Sequence, residues 1–240
     1  MPSTSHSLSQ SLDAIDQPAL EQSLEQHGSG VLRRLLPVTQ CHQLSSLYPQ
    51  PGLFRSRVIM ARHGFGRGEY QYFRYPLPAI VQQLRETLYP LLVPLANRWN
   101  EHMGLETRYP DAHCDFIRHC HGAGQQRPTP LLLQYGPQDY NCLHQDLYGE
   151  QVFPLQVAIL LSEPGQDFTG GEFVLTEQRP RMQSRPQVIG LKQGDAVVFA
   201  VHQRPVKGVR GYYRVNMRHG VSRVHSGQRH TLGIIFHDAQ

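Results

Sequence analysis

Tyr135-Gly-Pro-Gln-Asp-Tyr-Asn-Cys-Leu-His144-Gln-Asp146 is the stretch from which both the fold and the chemistry of this chain can be argued. An apolar run from Leu131 to Leu133 precedes it and another from Val152 to Leu161 follows it, so we expect the stretch to lie within a β-sheet. Side chains alternate along a strand with a period of two, so His144 and Asp146 would project to the same side. One short segment can therefore offer two ligands to one metal ion.

The His-x-Asp spacing alone is weak evidence, because it occurs a second time, in His113-Cys-Asp115. That second motif lies between Tyr109-Pro-Asp-Ala and Phe116-Ile-Arg, a context typical of a helix start or a loop. Only the motif at His144 stands between two apolar runs. The context therefore selects His144 and Asp146 as the candidate metal ligands.

A second informative stretch runs from His219 through Val221, Val224 and Gly227 to Arg229. Combined with the first stretch, with Gly170-Gly-Glu-Phe173 and with Gly194-Asp-Ala-Val-Val-Phe199, it resembles the Fe(II)- and 2-oxoglutarate-dependent dioxygenases, including their prolyl-hydroxylase-like and alkylation-repair (AlkB-like) branches. The similarity covers residues 129 to 237. The combination is far more specific than any one of its members.

The resemblance implies a role for five residues. His144, Asp146 and His219 would hold Fe(II), the arrangement of two histidines and one carboxylate that leaves metal positions open for substrates. Arg229 would receive the far carboxylate of 2-oxoglutarate, and Tyr135 would donate a hydrogen bond to that cosubstrate. O2 would be the oxidant and ascorbate a candidate reductant. The metal site itself would be catalytic, with no separate acid or base.

Composition points to a protein outside membranes. The chain has 240 residues, 39% of them hydrophobic, with a mean hydropathy of −0.44 and no apolar run long enough to cross a bilayer. The first ten residues contain neither a basic segment nor an apolar core, which argues against a secretory signal. We therefore expect a cytoplasmic protein, and nothing in the sequence indicates an obligate protein partner.

The four cysteines form no Cys-x-x-Cys pair, so we expect free thiols in a reducing compartment. A cluster of His and Cys offers ligand types that suit zinc, but its spacing fits no familiar zinc site. It comprises His113, Cys114, His119, Cys120 and His121. The sequence leaves open whether this cluster binds a second metal.

The N-terminal half is predicted to be helical support, residues 16–128, behind a disordered tail, residues 1–15. Asp16-Gln-Pro18 is typical of a helix start, and Gly28 of its end. A short strand is expected from Val31 to Leu36, a helix from Pro37, and one or two helices between Pro76 and Trp99. Pro90 and Pro94 are expected to break this last region.

Residues 62–74 are rich in glycine, arginine and tyrosine, and we predict a pliable loop that could act as a substrate lid. Arg67, Tyr70 and Tyr72 are its candidate substrate contacts, because aromatic rings can stack on a base while arginine pairs with phosphate. An ordinary glycine-rich hairpin remains an open alternative.

From Thr129 to the C-terminus the pattern is that of many short strands separated by Gly and Pro turns. This favours a double-sheet jelly roll, in agreement with the double-stranded β-helix that the resemblance implies. The predicted fold is thus mainly β with N-terminal helices (α+β), a single structural domain whose cupin-like core spans residues 129–240. The seven strands are expected at Thr129–Tyr135, Val152–Ser162, Gly171–Thr176, Val188–Leu191, Ala196–Val201, Met217–Val224 and Thr231–His237.

Positive charge is concentrated between Arg179 and Arg229, where eleven Lys or Arg residues accompany a single acidic one, Asp195. A basic face of this kind, residues 179–229, could bind nucleic acid, although a solvated basic rim needs no ligand. The formal net charge of the whole chain is only +4.

The resemblance that extends furthest along the chain, from about Gly30, is to an uncharacterised bacterial family of 2-oxoglutarate oxygenases described as acting oxidatively on damaged DNA. Phe54-Arg-Ser-Arg-Val-Ile-Met-Ala-Arg-His-Gly-Phe-Gly-Arg-Gly-Glu-Tyr70 and Leu143-His-Gln-Asp-Leu-Tyr-Gly-Glu150 carry it. The function it implies is hydroxylation with release of succinate and CO2, most simply oxidative demethylation of alkylated DNA or RNA. The alternatives are a prolyl-type protein or peptide hydroxylase and a non-catalytic jelly-roll module that binds a ligand or DNA.

Overall fold

The computed structural model describes residues 8–240 as five helices and fifteen strands, with two short 3-10 turns at Pro51–Leu53 and Met60–Arg62. The helices are α1 (Leu8–Asp13), α2 (Gln17–His27), α3 (Val38–Ser45), α4 (Ala79–His102) and α5 (His113–Gly122). The strands are β1 (Ser29–Leu32), β2 (Phe54–Ile59), β3 (Gly66–Arg67), β4 (Glu69–Phe73), β5 (Leu131–Tyr135), β6 (Tyr140–His144), β7 (Leu155–Leu160), β8 (Phe168–Gly170), β9 (Phe173–Gln178), β10 (Arg185–Ile189), β11 (Ala196–Ala200), β12 (Gln203–Gly208), β13 (Gly211–Val221), β14 (Val224–Gly227) and β15 (Arg229–Ile234).

Two antiparallel sheets face each other and form the double-stranded β-helix that the sequence predicts. The larger has the order β1-β11-β7-β15-β5-β4-β2, and the smaller has the order β10-β9-β13-β6-β3, with β12 added to β13. A pair of aromatic side chains joins them, because Phe173 of the smaller sheet and Phe199 of the larger lie with ring centroids 5.0 Å apart. The two inner faces therefore bury a common apolar core.

The start of the chain differs from the predicted tail. Residues 1–7 lie outside the described part, but Leu8–Asp13 form α1, whose Leu8 and Leu12 are buried. The two leucines are four residues apart and so share one face of the helix. Helix α2 begins as predicted, with Asp16 accepting a hydrogen bond from the Ala19 N–H, and it ends at Gly28 in the left-handed conformation.

Helix α4 runs unbroken through both prolines, so the prediction of breaks at Pro90 and Pro94 is wrong. Each proline removes one backbone hydrogen bond. Both are exposed and lie four residues apart, on the solvent side of the helix. The opposite side is buried along the whole helix, and its packing outweighs the two lost bonds. That side carries Val81, Leu84, Leu88, Leu92, Leu95 and Trp99.

The region predicted as helical support, residues 16–128, also supplies four strands. β1 lies at one end of the larger sheet, β2 and β4 complete its other end, and β3 is an edge of the smaller sheet. Of these, β1 overlaps the strand expected at Val31–Leu36. In the C-terminal half, β6 lies in the stretch expected to belong to a sheet, whereas β8, β12 and β14 were not predicted. The N-terminal half is therefore part of both sheets and not only a brace behind them.

The predicted lid, residues 62–74, is mostly regular structure. Tyr70 pairs with Leu133 of β5 and with Val58 of β2, so this part is an internal strand and not a pliable loop. Two of its three glycines, Gly66 and Gly68, serve close packing, whereas Gly64 has open space around it. A Cβ on Gly66 would lie 2.4 Å from the Tyr140 carbonyl oxygen, a distance that no side chain could tolerate.

No helix within residues 8–240 has both the length and the apolar character needed to cross a bilayer.

Candidate metal centre

Two strands of the smaller sheet bring His144, Asp146 and His219 together. His144 is the last residue of β6 and is the register partner of His219 on β13. Asp146 follows β6 and does not lie on it, yet its Oδ1 is 3.4 Å from His144 Nε2 and its Oδ2 is 3.4 Å from His219 Nε2. One potential ligand atom from each residue lies within 4.8 Å of the other two, close enough for all three to hold one ion.

The three side chains are oriented by different neighbours. His144 Nδ1 lies 2.8 Å from the Cys142 carbonyl oxygen, so Nδ1 carries the proton and Nε2 presents its lone pair to the centre. The His219 ring packs against Phe199, with centroids 4.6 Å apart. His219 Nδ1 is buried without a hydrogen-bond partner among the described residues. Packing against an aromatic ring therefore positions His219, whereas a hydrogen bond to a backbone carbonyl positions His144.

The charges of the three groups favour a cation. Burial acts to raise the pKa of Asp146, but hydrogen bonds from His144 and His219 hold that pKa well below its usual range. Burial and the neighbouring His144 lower the pKa of His219, which keeps its imidazole neutral. Burial acts to lower the pKa of His144, but Asp146 and two backbone hydrogen bonds raise it, so this ring has to release a proton when an ion binds. An anionic carboxylate and neutral imidazoles are the forms that bind metal ions.

Beside this group lies a buried cation without a carboxylate. Arg229 is 2% exposed, and within residues 8–240 no acidic side chain lies within salt-bridge distance of it. Its Nη1 donates to Thr231 Oγ1 at 2.6 Å, while its Nε is buried without a partner. Burial lowers the pKa of Arg229 to about 10. A buried guanidinium costs several kcal/mol unless an anion pairs with it, so an anionic ligand is expected here.

Tyr135 completes that anion site. It is the register partner of Arg229 in the neighbouring strand, and its hydroxyl is fully buried without a hydrogen-bond partner. The two unpaired donors, Arg229 Nε and Tyr135 OH, together with the metal group fit Fe(II) and 2-oxoglutarate, whose carboxylates accept hydrogen bonds. This agreement rests on polar atoms that the fold leaves unsatisfied.

A single pocket between the two sheets contains all five of these residues, and most of its remaining wall is apolar or aromatic. Small side chains at Ala158 and Gly233, which are register partners on β7 and β15, keep space open in it. The remaining lining residues include Phe65, Tyr70, Leu131, Leu133, Asn141, Tyr148, Gln156, Val157, Phe173, Phe199, Val221 and Thr231. Such a pocket excludes water from the reacting groups.

The three candidate substrate contacts do not share one location. Tyr70 lines the pocket, whereas Tyr72 is buried behind it, with the guanidinium of Arg55 4.5 Å from its ring centre. Arg67 is exposed on the edge strand β3, where it pairs with Tyr140. Of the three, only Tyr70 is positioned to touch a molecule in the pocket.

The basic segment, residues 179–229, is not one solvated face. Glu177 accepts hydrogen bonds from Arg179, Arg185 and Arg204, the last of them buried. Arg229 belongs to the pocket. Arg218 and Arg223 remain exposed, and each is close in sequence to a residue that lines the pocket, His219 or Val221.

The His and Cys cluster on α5 does not form a ligand group, since within residues 8–240 only His144, Asp146 and His219 bring three potential ligand atoms together. His113 is buried and lies 2.9 Å through Nε2 from the Phe236 carbonyl oxygen. His121 lies 2.9 Å from Asp238, a carboxylate that also accepts from Arg85. These side chains are committed to structural contacts.

Sequence reasoning missed four residues of the pocket. Thr231 stands two residues after Arg229 on a strand, so it shares the side of Arg229, and period two could have identified it. Gln156 is a polar residue inside an apolar run, which was also a signal, and its buried Nε2 has no partner. Phe65, 48% exposed, and Tyr148, on the loop after Asp146, gave no signal beyond residue type.

The chain is similar to proteins of known sequence and structure. Residues 68–239 match the model of the family Oxygenase-NA, described as "Oxygenase, catalysing oxidative methylation of damaged DNA". Uncharacterized proteins MT2286 and Rv2227 of two Mycobacterium tuberculosis strains (CDC 1551 / Oshkosh and ATCC 25618 / H37Rv) are each 51% identical over 167 residues, covering 70% of this chain and 72% of theirs.

Similar solved structures are far more distant in sequence. A Pseudomonas putida prolyl-4-hydroxylase has a TM-score of 0.53 at 15% identity and covers 93% of this chain and 99% of its own. A Burkholderia pseudomallei oxidoreductase of the 2OG-Fe(II) oxygenase family has a TM-score of 0.54 at 16% identity and covers 94% of this chain and 93% of its own. A Trichoplax adhaerens prolyl hydroxylase has a TM-score of 0.57 at 16% identity and covers 96% of this chain and 92% of its own. That structure is a complex with a peptide fragment of the hypoxia inducible factor oxygen degradation domain. At this identity the likeness concerns the fold.

Proposed function

Since the chain belongs to the Oxygenase-NA family, an oxidoreductase family of the 2-oxoglutarate- and Fe(II)-dependent oxygenase type, we propose that it hydroxylates alkylated nucleobases in damaged DNA. His144, Asp146 and His219 would hold Fe(II). Arg229, Tyr135 and Thr231 would bind the far carboxylate of 2-oxoglutarate.

One observation carries the proposal. Two buried hydrogen-bond donors that the fold leaves unpaired, Tyr135 OH and Arg229 Nε, belong to residues that line the pocket containing the metal group. Each buried unpaired polar group costs roughly 1–3 kcal/mol. A chain that keeps such groups together in one pocket gains that energy back when a ligand pairs with them. A metal ion with an anionic cosubstrate meets this requirement.

The residues of the chain would bind and orient, while the bound group supplies the oxidation. With iron and 2-oxoglutarate in place, one atom of O2 enters a substrate C–H bond and the other enters succinate, with loss of CO2. Arg229 would fix one end of the cosubstrate by charge-assisted hydrogen bonds, and Tyr135 would donate a further one. The apolar walls would keep bulk water away, which strengthens these contacts.

An alkylated base is a substrate that this chemistry would repair. Hydroxylation of an N-methyl carbon gives a hemiaminal, which breaks its C–N bond to release formaldehyde and the unmodified base. The reaction thus removes the methyl group, although the family description says methylation. The family description of damaged DNA supports this substrate class, and the exposed Arg218 and Arg223 offer positive charge that could contact phosphates.

Two further side chains fit a planar heteroaromatic substrate. Phe65 is 48% exposed, lines the pocket and stacks on His63, with ring centroids 5.3 Å apart and planes at 23°. Such a ring could stack on a base turned into the pocket. Gln156 lies four residues from Leu160, the register partner of Thr231, a distance along the strand of roughly 13 Å.

We propose that the unpaired Gln156 Nε2 donates a hydrogen bond to an acceptor on the substrate, because Gln156 lines the pocket from β7 whereas Arg229 and Thr231 line it from β15. An amide donor at this place can distinguish substrates by their hydrogen-bonding edges.

A peptide or protein hydroxylase is the second candidate. The prolyl-hydroxylase fold of the similar solved structures favours it. The two candidates differ in product, because a methylated oligonucleotide would yield formaldehyde whereas a peptide would gain one oxygen in mass.

The test is succinate release by purified protein with Fe(II) and 2-oxoglutarate, with and without single-stranded DNA that contains 1-methyladenine or 3-methylcytosine. We expect turnover that the DNA stimulates, with one formaldehyde per additional succinate, and we expect His144→Ala to abolish it. Turnover that His144→Ala abolishes but DNA leaves unchanged would retain the oxygenase and reject the DNA substrate. Absence of turnover in protein with bound iron would reject both.

A further inference from the structure

The metal-group carboxylate has a hydrogen-bond donor of its own on the same loop. Tyr148 OH donates to Asp146 Oδ1 at 2.8 Å. The other oxygen, Oδ2, faces His219 Nε2 and receives no hydroxyl or backbone N–H. The two oxygens of Asp146 are thus chemically different before any ion binds.

We propose that Tyr148 is a positioning residue that holds Asp146 so that Oδ2 alone binds the metal. This inference rests on the proposed metal site. If both carboxylate oxygens contacted the ion, the second oxygen would occupy a coordination position that 2-oxoglutarate or O2 needs. By occupying Oδ1, Tyr148 keeps the carboxylate to one ligand atom and preserves that open position.

Packing fixes the Tyr148 ring. It meets the ring of Tyr72 edge to face, with centroids 6.3 Å apart and planes at 88°, and it lies 6.3 Å from the ring of His237. Leu131 and Ile235 belong to the same cluster. The phenol therefore has few alternative directions for its hydroxyl, which is the requirement for orienting a ligand.

A buried glutamine fixes the backbone of the loop. Gln125 is fully buried, its Nε2 lies 3.2 Å from the Tyr148 carbonyl oxygen and 3.1 Å from that of Gln151, and its Oε1 accepts from the Gln151 N–H at 2.7 Å. Gly149 crosses over this amide with φ of +90°, and a Cβ there would lie 2.5 Å from the Gln125 side chain. Only glycine fits at this position. Gln125 and Gly149 together therefore fix the position of the Tyr148 backbone.

The loss of a residue that hydrogen-bonds a metal ligand typically lowers metal affinity by 10–100-fold. We therefore expect Tyr148→Phe to raise the Kd of Mn(II), measured by calorimetry on metal-free protein, by 10–100-fold. The matched control is Tyr89→Phe, which removes a buried hydroxyl that donates to the Pro110 carbonyl, away from the site. It should leave the Kd of Mn(II) within a factor of two of wild type.

A second readout separates positioning from loss of fold. Co(II) bound to Tyr148→Phe should show a visible absorption spectrum changed from that of wild type, because a second carboxylate oxygen can then reach the ion. A Tyr148→Phe chain with wild-type Mn(II) affinity and an unchanged Co(II) spectrum would overturn the inference. A wild-type chain that takes up neither ion would overturn the proposed metal site, and the inference with it.

The loop can also be displaced without touching the phenol. Gly149→Ala must push the Gln125 amide aside, so we expect it to raise the Kd of Mn(II) in the same direction as Tyr148→Phe. Gly104→Ala is the matched control, because Gly104 has a comparable φ of +67° with no atom near its missing Cβ. Equal Mn(II) affinities for the two glycine variants would contradict the role of the loop, even if Tyr148→Phe failed to fold.

Discussion

Arg229 and Tyr135 are register partners on neighbouring strands, and the guanidinium carbon of Arg229 lies 5.5 Å from the centre of the Tyr135 ring. Each also carries a buried polar atom without a partner. The sheet therefore holds a cation and a hydroxyl side by side in the wall of the pocket, and each has a donor that the protein leaves unpaired. This relationship fixes where an anionic cosubstrate would place its far carboxylate.

Tyr135→Phe should weaken 2-oxoglutarate binding without disturbing the metal. The change removes a hydroxyl but keeps the ring beside Arg229. A hydrogen bond to a charged group contributes roughly 1.5–3 kcal/mol, which corresponds to about 10–150-fold in Kd. Calorimetric titration of 2-oxoglutarate into Mn(II)-loaded protein measures it. Tyr213→Phe is the control, because Tyr213 is a half-buried tyrosine of β13 that does not line the pocket. Unchanged 2-oxoglutarate affinity in Tyr135→Phe would reject the assignment.

Gln156→Leu should act on the substrate and not on the cosubstrate. The change replaces an unpaired amide with an apolar side chain of similar volume, so kcat/KM for methylated DNA should fall by 10–100-fold while the Kd of 2-oxoglutarate shifts far less. Gln134→Leu serves as control, since Gln134 contacts His230 outside the pocket. Parallel losses in both quantities would show that Gln156 binds the cosubstrate instead.

Arg218 and Arg223 should carry the electrostatic part of DNA binding. Each phosphate contact contributes about one unit to the slope of log Kd against log salt, so Arg218→Ala and Arg223→Ala should each lower that slope by up to about one. Fluorescence anisotropy with a labelled single strand measures it. Arg185→Ala is the matched control, because Arg185 is exposed but already pairs with Glu177. If all three variants showed the same salt dependence of Kd, Arg218 and Arg223 would not form a specific DNA-binding surface.

The sequence was sufficient where local spacing decides the structure. The order of motifs, through the family resemblance, identified the three residues that the structure brings together at the metal group, and also Arg229 and Tyr135. The strand expected to carry both His144 and Asp146 instead ends at His144. The short strands with Gly and Pro turns predicted the double-stranded β-helix. These features depend on residues near each other in the chain or on motifs shared by a family.

The sequence was insufficient where contacts between segments far apart in the chain determine the local structure. The segment at Tyr70 contains glycines that suggest a loop, yet its pairing with Leu133 makes it an internal strand. Helix α4 continues through Pro90 because its buried side packs along its full length. The position of the Tyr148 backbone depends on Gln125, which approaches from another part of the chain.

Stability should fall as the pH drops below about 6.5, because His113 is buried in a neutral form. Burial, followed by the charge of Arg85, lowers the pKa of His113 to about 4, against about 6.5 in the unfolded chain. Between these values the unfolded chain binds a proton that the folded chain does not. The free energy of unfolding therefore decreases as pH falls through this window, by roughly 3 kcal/mol for this group once the pH is below both values.

His113→Gln should flatten this dependence. Glutamine can still donate to the Phe236 carbonyl, the contact that His113 makes, but it does not titrate. Urea unfolding of the metal-free protein at pH 7 and pH 5 gives the two free energies, and their difference should be smaller in the variant than in wild type. His119→Gln, which changes an exposed histidine on the same helix, should keep the wild-type difference. An equal difference in all three chains would mean that His113 is not the group whose protonation destabilises the fold, and that other buried histidines such as His237, whose pKa burial also lowers to about 4, account for it.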